Sequence, residues 1–398
     1  MMAVLKQIAM VTLLSLRSIP ERLGSSLVIV IGIAGVAGVL LSVMAMAMGL
    51  QHTLANSGRD DRAIVMRNGS TTEMTSGIAR GQVVTILQAP GIAISVDGKP
   101  AGSEESVVSI SLPNPVSRGE AGDTNIVLRG VSERMHALRP ELKIQQGRMF
   151  APGVRELIVG SAARKQFGGL NVGDKIKLRD SEWTVVGVFK TDGDAHESEL
   201  LADVETVNST FRRNGFQSVT VRLSSVGSFD AFKDALTTDP TLAVTVQRES
   251  QYYAEQSKQM TRLLYFITYV VGGIMAVGAV FGALNSMYSA VSTRSVEIAT
   301  LRAIGFGPLP VVCSVFVEAV ILAAMGGILG ALIAWSLFDG QVVSTVTGLT
   351  MMMAFQLIVT PQMVVTGILW AVTIGVLGGL FPAVRAARLP VAIALRAL

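Results

Sequence analysis

A glycine run ending in lysine, Gly168-Gly-Leu-Asn-Val-Gly-Asp-Lys175, is the part of this chain nearest in composition to a phosphate-cradling loop. Such a loop needs Gly-Lys-Ser/Thr in adjacent positions at a helix start, where backbone N–H groups and the lysine converge on the phosphates. Asp174 intrudes before Lys175, no Ser or Thr follows, and the flanking residues read as strands. ATP hydrolysis by this chain alone is not expected. The stretch Asp192-Gly-Asp194-Ala-His196-Glu197-Ser-Glu199 holds carboxylates for a cation. A calcium loop wants Gly at its sixth position and Glu at its twelfth; here those are Glu197 and Asp203. The expectation is a solvated loop. His52, His136 and His196 show no metal-type pairing. The one cysteine, Cys313, rules out an intrachain disulfide and a cysteine-rich zinc site. No catalytic, cofactor-binding or metal-ligating residue is expected.

Glu318 is the remaining chemical oddity, because it lies inside an apolar stretch. A carboxylate there costs about 2.5–3.5 kcal/mol on insertion scales and faces a bundle interior. A packing or gating contact is expected, with an arginine near the cytoplasmic face as its partner. A proton relay would need ionisable partners in the other apolar stretches, which have none.

The elements that position these residues follow from apolar length. Ser25–Leu50, Leu263–Met287, Leu309–Phe338 and Met363–Val384 are each long enough to span, since about 20 residues cross about 30 Å of hydrocarbon. The first is too long for a signal-peptide core of about 7–15 residues and is expected to be an uncleaved span. The fold class is therefore an α-helical membrane protein with four transmembrane helices, arranged one plus three, and a large mixed α/β domain between helices 1 and 2. Eight basic residues (Lys6, Arg17, Arg22, Arg294, Arg302, Arg385, Arg388, Arg396) against two acids (Glu21, Glu297) mark the termini and the 288–308 loop as cytoplasmic. The large domain is balanced in charge and goes outside. The net charge of +4 is thus an orientation signal, not a nucleic-acid footprint.

Within the domain, Asn125–Val131, Glu156–Gly160, Lys175–Arg179, Trp183–Phe189 and Ser218–Leu223 read as strands. Ser161–Phe167 and Ser228–Thr237 read as helices, and Asn171-Val-Gly-Asp as a turn. Ser111–Asp123 and Asp192–Leu201 read as loops. Residues 245–262 read as a polar helix running into the second span. Residues 4–18 read as a basic amphipathic helix, broken before the first span by Pro20. Residues 292–308 alternate apolar Val296, Ile298, Leu301 and Ile304 with charged Arg294, Glu297 and Arg302, then end at Gly305, Gly307 and Pro308. This is a short amphipathic helix between two spans. Small residues four apart, Ala34/Gly38, Gly278/Gly282, Gly326/Gly330 and Gly375/Gly379, suit close helix approach.

Three stretches resemble the MacB/FtsX-type permeases of ABC transporters, also called type VII or mechanotransmission transporters. The first joins Leu13-Leu-Ser-Leu-Arg-Ser-Ile-Pro-Glu-Arg-Leu to Ile31-Gly-Ile-Ala-Gly-Val-Ala. The second comprises Glu156-Leu-Ile-Val-Gly-Ser, Asn171-Val-Gly-Asp and Thr184-Val-Val-Gly-Val-Phe. The third runs Arg294-Ser-Val-Glu-Ile-Ala-Thr-Leu-Arg-Ala-Ile-Gly-Phe, Phe316-Val-Glu-Ala-Val, Gly326-Gly-Ile-Leu-Gly and Phe381-Pro-Ala-Val-Arg-Ala-Ala-Arg-Leu-Pro-Val-Ala-Ile-Ala-Leu-Arg. The resemblance implies this layout: a cytoplasmic helix 1–22, spans 23–50, 259–288, 309–338 and 363–384, and a MacB-like periplasmic core domain 51–258. A coupling helix 289–308, a short external loop 339–362 and a cytoplasmic tail 385–398 complete it.

It further implies a non-catalytic subunit of a bacterial inner-membrane transporter, working as a homodimer beside membrane lipids. A cytoplasmic ABC ATPase dimer would bind it, with ATP and Mg held in that partner. MacB carries its ATPase at the N-terminus, a domain not found in this sequence, so the ATPase is expected to be a separate polypeptide. Arg294, Glu297, Ile298, Leu301, Arg302, Ile304 and Gly305 would form the coupling surface. A periplasmic membrane-fusion protein and outer-membrane channel are further implied partners. The implied function is export or extraction of a lipid, lipopeptide, peptide or drug-like substrate; the alternative is an FtsX-like mechanotransmitter regulating a periplasmic hydrolase.

Overall fold

The computed structural model describes residues 2–18, 20, 23–113, 123–347 and 351–388. Glu21, Arg22, the central part of the expected 111–123 loop and the tail beyond Arg388, Arg396 included, lie outside the described residues. The chain begins with α1 (Met2–Arg17) and α2 (Leu23–Ser57). There follow β1 (Arg62–Arg67), β2 (Ile78–Ala79), α3 (Arg80–Leu87), β3 (Gly102–Pro113), β4 (Asp123–Val131), α4 (Met135–Leu138), β5 (Lys143–Gly147) and β6 (Glu156–Gly160). Next come α5 (Ser161–Gln166), β7 (Lys175–Leu178), β8 (Ser181–Lys190), β9 (Leu200–Asp203), α6 (Val204–Phe211), β10 (Gly215–Phe216), β11 (Ser218–Arg222), α7 (Phe229–Thr238) and β12 (Val244–Arg248). The chain continues as α8 (Glu249–Thr293), α9 (Ser295–Ala303), α10 (Pro308–Phe338), β13 (Val342–Thr347), β14 (Met351–Gln356) and α11 (Pro361–Arg388).

Two compact units result. One gathers Met1–Met48, Arg262–Gln341 and Leu357–Leu398; the other gathers Gly49–Thr261 and Val342–Gln356. The second unit is built on a mixed ten-stranded sheet in the order β12-β1-β11-β3-β4-β9-β6-β8-β5, with β7 paired to β8. β4–β9 and β6–β8 are parallel pairs. Alternation along the strands divides the faces. Ile126 and Leu128 enter one core with Leu157, Val159, Trp183 and Val185, under α5 and α6. Ala63, Val65, Val219 and Val221 enter another, capped by Phe229, Phe232 and Leu236 of α7.

The expected strands and helices fall on β4, β6, β7, β8, β11, α5 and α7, within a residue or two at their ends. Asp174 N–H donates to Asn171 C=O (2.9 Å) in the expected turn. Three expectations need correction. Residues 245–248 belong to strand β12, paired with β1, so the polar helix starts at Glu249. The 192–201 segment is not a solvated loop: Asp194, His196, Glu197 and Glu199 are buried, and a 3-10 turn (Ala195–Ser198) leads into β9. The reason is that its charges have partners inside the fold, which local composition does not disclose. The 339–362 loop, finally, contains the antiparallel β13–β14 hairpin, whose strands join the α/β unit.

In the other unit, α2, α8, α10 and α11 are long and apolar enough to cross a membrane. α10 is pinched against its neighbours by glycine. A Cβ at Gly326 would lie 2.8 Å from Val30 C=O, and one at Gly330 2.5 Å from Ala34 C=O, so both seat α10 against α2. Gly375 and Gly379 do the same for α11, against Ala323 and Ala319. Gly38 lies opposite Gly330 at ordinary contact distance. Gly278 and Gly282 have open space around them within the chain. Among the described side chains of α1, Val11 is buried, while Met10, Leu13 and Leu14 are exposed.

Candidate functional site

The short helix α9 is held at both ends by specific contacts. Arg294, in the break between α8 and α9, is 6 % exposed, and Glu318 of α10 is 4 % exposed. The two form a forked pair: Arg294 Nη1 donates to Glu318 Oε2 (2.7 Å) and Nη2 to Oε1 (3.0 Å). Nη2 also donates to Ser18 Oγ (3.0 Å), just past α1. Ser314, one turn before Glu318 on the same face, shares a hydrogen bond with Ser15 (2.6 Å). A forked arginine–carboxylate pair fixes orientation as well as distance. Burial makes it costly to break, because either partner alone would be an unpaired charge.

At the other end, Arg302 Nη1 donates to Ala387 C=O of α11 (3.0 Å). The helix stops because Gly305 takes φ +109°, a left-handed conformation that side-chain-bearing residues resist. Phe306 N–H reaches back to Leu301 C=O (3.1 Å), closing the C-terminal turn. Ile298 faces inward and is buried, Glu297 is exposed, Leu301 is half-buried and Ile304 is 72 % exposed. A cavity of about 460 Å³ opens between α1, α9 and the start of α10, beside Arg294 and Leu301. The seven expected coupling residues thus divide: Arg294, Ile298 and Arg302 are turned to the bundle, Glu297, Ile304 and Gly305 are at the surface, and Leu301 is half-buried between them.

The α/β unit holds a second charged cluster, which sequence reasoning missed. Arg129, on β4, uses all five of its N–H donors. Nε and Nη2 reach Glu199 (2.7 and 3.0 Å), Nη1 and Nη2 reach Glu73 (2.9 and 3.0 Å), and Nη1 reaches Glu105 (2.7 Å). Nearby, Glu249 in the first turn of α8 accepts from Arg139 Nη2 (2.6 Å) and from Arg59 N–H (3.2 Å). Arg62 forks onto Glu141 (2.7 and 2.8 Å). Tyr252 Oη accepts from Glu73 N–H (3.2 Å), and Tyr253 Oη meets His196 Nε2 (3.3 Å). A signal was present: an arginine in the otherwise apolar run Ile126-Val-Leu-Arg-Gly-Val131 implies a buried partner.

The pairing shows in the acidities. Burial pushes the Glu73 carboxyl up, but Arg129 and the Ser218 hydroxyl more than reverse this and leave it below the ordinary range. Burial likewise raises Glu141, and the Arg62 fork brings it down. Asp194 is raised by burial and lowered further by His196 and Thr191, to about 2. Arg129 is held above the usual arginine value because its carboxylates outweigh burial. His52 and His136 lie elsewhere, on α2 and α4, and the Gly168–Lys175 run leads into strand β7. Among the described residues, no group of three or more His, Cys, Asp or Glu is placed to hold a metal ion.

The fold defines a membrane protein with four span-length helices and a mixed α/β domain inserted between the first and the second. Residues 23–239 match the MacB-like periplasmic core domain, and residues 269–391 match the FtsX-like permease C-terminal domain. The chain belongs to the MacB/FtsX-type permease family. It is 27 % identical over 231 residues to an ABC transporter permease of Methanocaldococcus jannaschii, covering 55 % of this chain and 56 % of the relative. It is 23 % identical over 401 residues to the macrolide export ATP-binding/permease protein MacB of Bdellovibrio bacteriovorus, covering 92 % and 57 %. The chain therefore spans somewhat more than half the length of these two relatives. The extracellular domain of the ABC-type transporter YknZ from Gram-positive bacteria aligns over 47 % of the chain and all of that structure, at 18 % identity and a TM-score of 0.36.

Proposed function

We propose that this chain is the permease through which a separate ATPase drives movement of the α/β domain, for export or extraction of a lipid, lipopeptide, peptide or drug-like molecule. The observation that carries this reading is α9. It is a short helix between two span-length helices, it presents Glu297 and Ile304 at the surface, and it is fastened to the bundle at both ends. A partner pressing on such a helix would move the spans rather than bend a loop. The basic loops support a cytoplasmic position for α9 and both termini, with the α/β domain on the periplasmic side of a bacterial inner membrane. The open Gly278/Gly282 face of α8 supports pairing with a second copy, since small residues let helix backbones meet. ATP and Mg would belong to the partner ATPase, and a membrane-fusion protein would engage the outer domain.

The test is affinity purification from the native membrane. An ABC ATPase should co-purify, and L301D or E297K should release it while the α/β unit keeps its protease resistance. A wild-type chain that brings down no ATPase defeats the proposal. A periplasmic hydrolase in place of a fusion protein would redirect it to mechanotransmission.

A further inference from the structure

We propose that the Arg294–Glu318 pair, completed by Ser18, is the latch that passes load from α9 into α10 and α11 as one block. This rests on the ATPase-driven reading above and adds which spans receive the stroke.

Three observations carry it. First, Arg294 sits where α8 gives way to α9, and its carbonyl still accepts from Ile298 N–H (2.9 Å). α8 and α9 are separated by a one-residue break at Arg294, whereas α9 and α10 are joined by a forked pair with little freedom. Second, α9 is also tied to the end of α11 through Arg302 and Ala387. Third, α10 and α11 are seated on each other by small residues: Gly327 against Ala371, Gly375 against Ala323 and Gly379 against Ala319. Backbones in such close approach move together, because separating them forfeits packing with nothing to replace it. α8 meets α11 at one such point, Gly378 against Ala283, and α2 at Gly272 against Leu40, while Gly273, Gly278 and Gly282 face open space within the chain. A push on α9 therefore enters α10 through Glu318 and α11 through Arg302. Ser18 and the Ser15–Ser314 bond draw α1 into the same assembly, as Gly326 and Gly330 draw α2. In this account Glu318 and Ser18 are positioning residues. They touch neither ATP nor cargo.

Cys313 is a built-in reporter, since it is the chain's one cysteine, lies on α10 beside Ser314 and is partly exposed. The first arm uses the full chain alone in lipid nanodiscs. E318Q should speed amide exchange across 295–303 by roughly tenfold or more, as expected when a buried fork is broken, and S18A should do so to a smaller extent. Unchanged exchange in E318Q overturns the latch. The second arm uses the chain with its co-purified ATPase. ATP should change the rate at which a maleimide modifies Cys313 in the wild type, and E318Q should abolish that change while the ATPase still co-purifies. The double variant R294M/E318L supplies apolar packing without charge. It should recover the thermal stability lost in E318Q without recovering the ATP-driven change. Recovery of both reduces the pair to a packing feature and overturns the proposal, as does an ATP-driven change that persists in E318Q. Failure to recover any ATPase from the wild type overturns the functional reading and the load path with it, and the exchange arm then judges the latch by itself.

Discussion

The two buried arginine clusters of this protein solve different problems. In the α/β unit, Arg129 serves three glutamates at once, and Arg62 and Arg139 stand close by with Glu141 and Glu249. In the membrane unit, Arg294 serves one carboxylate and one hydroxyl. A water-facing domain can spread surplus negative charge over several hydrogen bonds and a polar surround. Hydrocarbon cannot, so a charge there is matched one to one or excluded. The common lesson is that both clusters specify position. Apolar replacements of equal volume often match buried pairs in stability. What the clusters add here is a defined seat, for the first turn of α8 in one case and for the head of α9 in the other.

The comparison can be broken most forcefully at Arg129. R129M should cost at least about 3–5 kcal/mol, because three carboxylates are left without their cation; chemical unfolding followed by Trp183 fluorescence would read it. A loss below about 1 kcal/mol would show that the carboxylates find other partners. E318A should cost about 3 kcal/mol in the membrane unit, with most of that returned in R294M/E318L. If the double variant is no better than the single one, the pair is more than a matched charge.

Acid should separate the clusters next. The Asp194 carboxyl is depressed to about 2, so the unfolded chain takes up its proton first. That contribution is complete above about pH 4 and is lost as the pH falls towards about 2, amounting to about 2 kcal/mol. Glu73 and Glu141, also depressed, act in the same direction. Thermal unfolding of the full chain between pH 5 and pH 2 should show this slope, and D194N should flatten part of it. The smallest effect concerns glycine. G330A should cost about 1–2 kcal/mol through over-packing against α2, while G278A should not destabilise the isolated chain and should gain up to about 1 kcal/mol from helix propensity. A measurable loss of stability for G278A in a dilute, monomeric sample would contradict its open surroundings.

Much of the architecture was legible from short-range pattern. The four apolar runs, the break before α2 and strands such as Glu156–Gly160 follow from run length and alternation, which are local properties. The 192–201 segment was misread for the same reason. Its acidity looks solvated until Thr191 N–H, Ser161 and Arg129 are seen to meet Glu197 and Glu199. The β13–β14 hairpin escaped because Val342–Gln356 reads as a connection between two spans, and only its neighbours in the α/β unit give it a role.

The amino-acid sequence by itself determined how many helices can span, where the extracytoplasmic domain is inserted and which short helix lies between spans. These depend on length and periodicity along the chain. Tertiary structure alone decided which charges meet and which glycines are used. Glu73 and Arg129 are 56 residues apart, and Ser18 and Arg294 are 276 apart. Gly278/Gly282 and Gly326/Gly330 share one spacing, yet only the second pair meets a neighbouring helix within the chain. A side chain carries its charge or its small size wherever it goes. Its partner is set by the fold, since burying it unmatched costs more than any local preference can supply.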